Sequence, residues 1–301
     1  MGKIDLSAFE KALENDGKSP RTVTGYLRDV RLFATWFEQT NGETLTPQTL
    51  TTIDARQYRQ HLLVTDKARP ATINRKLAAL RAYSDWARSS GQVDYSLVNG
   101  VKNVEEVSTG PRWLSKKEQA ALLREAQKEI GAAQTAPARR QARRDYAVLV
   151  VLLNTGLRIG ELCALELEDV EIGERKGEVC VRQGKGGKAR VVPLNKEARK
   201  ALQEWLEYRP TVNSQAVFTT QFGSALQPRG VQLMLKEFGR RAKVEVTPHQ
   251  LRHTFAKNLI DHGVSLEKVA RLLGHSNLNT TMVYTIPSQA DLAQAVEALV
   301  D

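Results

Sequence analysis

The N-terminal third of the chain repeats apolar positions with a helical period. In KSPRTVTGYLRDVRLFATWFEQTNG, Val23, Tyr26, Leu27, Val30, Phe33 and Phe37 fall on one face. Ser19 is a good N-cap there, and Pro20 suits the first helical position. The pattern predicts further helices over 54–64 and 71–89, the second with Ile73, Leu77, Leu80 and Trp86 as its apolar stripe. With a short helix near 5–16 these make a four- or five-helix bundle. The period fades in GQVDYSLVNGVKNVEEVSTGPRWLS, so one domain is placed at 1–104, a linker at 105–112 and a second domain at 113–301.

The second domain opens with Ser115 capping KKEQAALLREAQKEI. GAAQTAPARRQARRD (131–145) reads as an exposed basic loop or the lead-in to the next helix. An apolar helix over 145–155 then ends near Thr155-Gly156, and another starts close to Arg158. Over 177–194 the period changes from helical to two: EVCVR and ARVVPL are strands, and GKGGK is the turn of a hairpin with Lys185 and Lys188 at its tip. Helical pieces return at 195–207, 228–242, 247–263, 265–275, 279–286 and 288–300. The expected class is mainly α, with one small antiparallel sheet (α+β).

One position breaks the apolar pattern. NTGLRIGEL lies inside YAVLVVLLNTGLRIGELCALEL, the most apolar stretch, and puts Arg158 and Glu161 where a core helix would want Leu or Ala. A buried charge without partners is expensive, so this arginine needs a reason.

Composition narrows the reasons. The 301 residues carry a net charge of +10, split as +2 over 1–106 and +8 over 107–301. The longest apolar run, AVLVVLL, is far too short to span a membrane, and no basic-apolar-small leader follows Met1. A basic chain of this kind suggests a polyanionic partner, most often nucleic acid. Cys163 and Cys180 form neither a CxxC pair nor a metal-ligand cluster, which suits a reducing cytoplasmic setting.

The polar residues beside apolar periodic sequence suit one chemistry. Arg158 and Glu161 are three apart, as are His249 and Arg252; His275 follows a glycine at a helix end, and Tyr284 lies in the short piece after it. Arginine forks bind phosphate oxygens, a tyrosine can attack phosphorus, and a lysine or histidine can protonate the leaving oxygen. Cationic neighbours would also favour the phenolate of a group whose ordinary pKa is about 10. Each fragment alone is weak, since HxxR occurs by chance and a tyrosine in TTMVYT is most often packing.

Order and context add more. TGLRIGEL, a GKGGK hairpin, HQLRHTFA and LLGHSNLNTTMVY closely resemble the tyrosine recombinase (phage integrase) family over 112–300. SPRTVTGYLRDVRLFATWF through ATINRKLAALRAY resembles the family's core-binding domain, a SAM-like helical bundle. The resemblance implies a DNA breaking-rejoining enzyme fold of the simple two-domain, Xer-like type. It implies a catalytic set of Arg158, Glu161, Lys185, His249, Arg252, His275 and Tyr284, with Tyr284 as nucleophile and Lys185 as general acid; Lys188 is a weaker candidate for the hairpin lysine.

Such an enzyme forms a 3′-phosphotyrosyl link and needs no cofactor, neither metal nor ATP. Its partner would be double-stranded DNA with paired inverted half-sites. It would act as a dimer per site and a tetramer in synapsis through a Holliday junction, with segment 288–300 docking on the neighbouring protomer. A second recombinase or an accessory protein is a further partner of this type, and the place of action is cytoplasmic and nucleoid-associated. Arg75, Lys76 and Arg81 on the 71–89 helix, and Arg140 and Arg144 in the basic stretch, are the candidate DNA contacts. The competing readings are a type IB-like topoisomerase and a non-cleaving DNA-binding protein with the same fold.

Overall fold

The computed structural model describes residues 4–106, 110, 112–182, 189–275 and 277–285. The chain divides into two units, Met1–Thr109 and Gly110–Asp301.

The first unit is four helices: α1 (Ser7–Asn15), α2 (Pro20–Asn41), α3 (Thr52–Val64) and α4 (Pro70–Ser89). Ser19 accepts the Thr22 amide and starts α2, and Thr51 with Asp54 forms a capping box on α3. Val23, Leu27, Val30, Phe33 and Phe37 of α2 meet Ile73, Leu77 and Leu80 of α4 in one core. Trp86 packs only partly buried against it.

The second unit is built around a central helix. Its elements are α5 (Lys116–Ala132), α6 (Ala136–Thr155), α7 (Ile159–Cys163), β1 (Val170–Ile172), β2 (Gly177–Val181), β3 (Arg190–Pro193), α8 (Lys196–Tyr208), α9 (Pro228–Ala242), α10 (Pro248–Asp261), α11 (Leu266–Leu273) and α12 (Asn279–Met282), then a 3-10 turn at Val283–Thr285. Residues 147–153 of α6 are buried without a break, the pattern of a helix with an apolar surface all round. It packs against α5, α8, α9 and α10. The sheet is antiparallel in the order β1-β2-β3, with Val179 opposite both Val170 and Val192. The edge strand β1 was not expected from the sequence.

Of the two readings of 131–145, the exposed loop is corrected and the lead-in to a helix agrees with the structure: α6 begins at Ala136, capped by Thr135 with Pro137 in its first turn, and its first half carries the arginines. The hairpin tip, with Lys185 and Lys188, and segment 288–300 lie outside the described residues.

Candidate active site

The break in α6 positions Arg158. Gly156 adopts a left-handed conformation (φ 63°), ends the helix and returns its N–H to the Leu152 carbonyl. Arg158 is then the N-cap of α7. Glu161, three residues on, accepts the Arg158 backbone N–H at 2.8 Å and its Nη1 at 2.7 Å. Glu161 is buried, whereas the Arg158 side chain keeps a third of its surface exposed.

A second arginine holds the same carboxylate. Arg190, the first residue of β3, donates Nη1 and Nη2 to the two Glu161 oxygens at 3.0 and 2.6 Å, and Nε to the Leu272 carbonyl at 2.9 Å. Burial pushes the Glu161 carboxyl up, but the bonds from Arg190 and Arg158 outweigh it and hold the group below its usual range.

Arg252 on α10 is 3% exposed and donates to the carbonyls of Gly156 and Leu273, both at 2.6 Å. It therefore joins the cap before Arg158 to the turn before His275. Burial, reinforced by Arg158, pulls its guanidinium down to about 10, which still leaves it charged at neutral pH. His249 is exposed and lies against His253, ring centroids 4.2 Å apart. His275 shares a 2.8 Å hydrogen bond with the Thr281 hydroxyl. Partial burial, then the charge of Arg252 and Arg158, lowers both His249 and His275, His275 to about 4. One carboxylate thus stands against Arg158, Arg190 and Arg252, and the site is charged for an anion.

Tyr284 closes the arrangement from the 3-10 turn. Its ring is 2% exposed in a cluster with Phe255, Ala256, Val269 and Leu273. Its hydroxyl shares a 2.6 Å hydrogen bond with Nδ1 of His253. Burial raises the phenol, and Arg252 only partly offsets this, so cations do not make it a phenolate here as the sequence suggested. His253, lowered to about 4 by burial and then by His249 and Arg252, is neutral at pH 7, and its Nδ1 takes the phenol as a hydrogen-bond partner.

Arg190 and His253 were missed in the sequence, and both had a signal. Arg190 shares its face of β3 with buried Val192, and period two marks it as inward. His253 stands one turn after His249.

The proposed DNA contacts fare differently. Arg144 is buried, donating Nε and Nη2 to Asp145 and Nη1 to the Thr219 carbonyl, so its reading as a DNA contact is corrected. Arg75 pairs with the buried Asp29. Arg81 donates to the Val101 carbonyl and Asn103. Lys76 approaches the Tyr58 hydroxyl at 3.4 Å. Arg140 remains half-buried at the start of α6.

Arginines gathered at one anion site beside a buried tyrosine, on a mostly helical unit with a small antiparallel sheet, define an enzyme of the tyrosine recombinase class. The model of the phage integrase family matches residues 112–290, and that of the phage integrase N-terminal SAM-like domain matches 6–89. The chain belongs to the phage integrase family and fits its Xer-like two-domain type. It is 33% identical to tyrosine recombinase XerA of Thermococcus kodakarensis, over 97% of this chain and 94% of that protein. It is 34% identical to tyrosine recombinase XerC of Chlorobaculum parvum, over 89% and 85%. Among solved structures, XerH recombinase bound to palindromic difH substrate in a post-cleavage complex matches with a TM-score of 0.76 and 21% identity, over 97% of this chain and 85% of that one; this likeness concerns the fold.

Proposed function

We propose that the chain is a site-specific DNA recombinase in which Tyr284 attacks a scissile phosphate held by Arg158 and Arg252. The tyrosine oxygen bonds to phosphorus as its phenol proton passes to solvent, and the 5′-oxygen leaves with a proton from Lys185, a residue outside the described part of the hairpin. A 5′-hydroxyl from the partner strand reverses the step, so bond energy is kept in the phosphotyrosine. The observation that carries this reading is the surplus of positive charge around Glu161, with Arg158 partly exposed and Tyr284 beside Arg252. His249 and His275, neutral at pH 7, add hydrogen-bonding groups without adding charge. Glu161 orients Arg158.

The buried phenol on His253 is a resting arrangement, and Tyr284 leaves this seat to reach phosphate. The palindromic substrate of XerH supports a duplex with inverted half-sites as the partner. Dimers on each site, a tetramer in synapsis and docking of 288–300 on the neighbour follow the same reading, as does action at the nucleoid. The relatives are recombinases, which disfavours the topoisomerase and non-cleaving alternatives.

The test is a nicked duplex carrying a site selected from random-sequence DNA. The wild-type chain forms a covalent adduct that survives denaturation, and Tyr284→Phe forms none. An adduct with the Phe variant assigns the nucleophile elsewhere.

A further inference from the structure

Arg190 has no part in the chemistry above, yet the site is built around it. Each of its three donor nitrogens makes a bond inside the protein, to Glu161 or the Leu272 carbonyl, and its side chain is 9% exposed. Both of its Nη atoms engage the Glu161 carboxylate, which makes that carboxylate the group it serves. Its strongest bonds go to the two oxygens that hold Arg158: Oε1 takes Nη1 of both arginines, while Oε2 takes Arg190 Nη2 and the Arg158 backbone N–H.

We propose that Arg190 is a positioning residue that occupies Glu161 and so keeps the Arg158 guanidinium available to the scissile phosphate. The proposal rests on the reading of the site given above. A carboxylate prefers a bidentate arginine fork. With Arg190 across it, Glu161 takes only Nη1 of the Arg158 guanidinium among the described contacts. Without Arg190, Arg158 is the one arginine among the described residues still hydrogen-bonded to the buried carboxylate, which draws the whole fork of Arg158 onto itself. The charge aimed at phosphate is then neutralised in the ground state.

The backbone supports the same role. Gly274 sits at φ 65°, and a Cβ there would lie 3.0 Å from both Cδ and Nη1 of Arg190. The turn that carries His275 is thus shaped to admit this guanidinium, and Arg190 ties it to Glu161 through the Leu272 carbonyl.

The experiment measures adduct formation on the nicked duplex by wild type, Arg190→Gln and Arg190→Lys, beside DNA affinity. Arg190→Gln slows the adduct by about 10- to 100-fold, the scale of a misplaced catalytic group, with affinity unchanged. Lys, with charge but no fork, falls between. Gly274→Ala, which crowds the guanidinium without removing it, gives a smaller loss of the same kind. A methylphosphonate at the scissile position lacks one charged oxygen and has less need of Arg158, so the Arg190→Gln deficit shrinks on it. Adding Arg190→Gln to Glu161→Gln gives no further loss.

A wild-type rate for Arg190→Gln overturns the proposal. So does an equal loss on both substrates, which would mark a general folding defect. Rescue by a 5′-thiolate leaving group but not by methylphosphonate also overturns it, placing the effect on the leaving-group proton. A wild-type chain that forms no Tyr284-dependent adduct overturns the proposal and the recombinase reading together.

Discussion

The two ends of α6 handle arginine in opposite ways. At the first half, Arg144 and Asp145 are buried as a one-to-one pair, with the third donor of Arg144 capped by the Thr219 carbonyl. At the far end, Arg158 and Arg190 bond one carboxylate, Arg252 lies within its field, and carbonyl oxygens take one donor of Arg190 and two of Arg252. Carbonyls fix a guanidinium without cancelling its charge. A balanced pair holds a helix in place, whereas an unbalanced cluster stores positive potential for an incoming anion. Both ends look alike in a list of basic residues, and only the partner count separates them.

The comparison predicts that damage at the two ends appears in different measurements. The largest effect belongs to Arg158→Ala. Adduct formation falls by about 10²- to 10³-fold, the range for losing one preorganised donor at a developing charge, while the DNA-bound fraction is retained. Equal losses of binding and cleavage would put Arg158 in simple DNA affinity. Next comes Asp145→Ala. Stability to urea drops by about 3 kcal/mol because Arg144 is left buried without its partner, and the cleavage rate per folded molecule is unchanged. A cleavage defect at full stability would erase the distinction between the two ends.

Acid separates the ends more finely. His253 and His275 are lowered to about 4 from 6.5. Between those values the unfolded chain binds more protons, so stability falls as pH drops from 6.5 towards 4. Asp145 is raised from 3.8 to about 6, mainly by burial and against the pull of Arg144. There the folded chain binds more protons, and stability gains as pH drops through 6. His275→Asn therefore flattens the acid loss of melting temperature relative to wild type, and Asp145→Ala steepens it. Parallel curves for all three proteins would count against both assignments. The smallest effect comes from Arg139→Ala with Arg140→Ala, which lowers the slope of log affinity against log salt by about one per lost phosphate contact. An unchanged slope removes the start of α6 from the DNA interface.

Much of this was legible in the sequence, for stated reasons. Thr155-Gly156 marked the end of α6 because a left-handed cap needs glycine, and Ser19 and Ser115 behave as caps where the pattern changes. Arg158, His249, Arg252, His275 and Tyr284 could be named as candidates because their motifs are local. What was hidden depends on distance along the chain. Arg190 binds a carboxylate 29 residues away, and nothing in ARVVPL names that partner. Arg144 and Arg140 look equivalent in ARRQARR and, four residues apart, share one face of α6, yet Asp145 and the Thr219 carbonyl bury Arg144 one turn further on and leave Arg140 half-buried. The bond of Tyr284 to His253 joins the turn after α12 to α10, and only tertiary packing reveals it.

Gly156 carries a consequence beyond ending a helix. A Cβ at this position would lie 2.4 Å from Cδ1 of Phe255 and 2.9 Å from Leu273, so α10 and α11 rest directly on its α-carbon. Its carbonyl is meanwhile the acceptor for Arg252. The gap between the two elements that aim Arg158 and Arg252 is therefore gauged by a single hydrogen atom. Adding even one methyl would wedge the elements apart and widen the jaw between the two arginines proposed to hold phosphate. The dimensional tolerance of this proposed centre is set by a side chain that the chain leaves out.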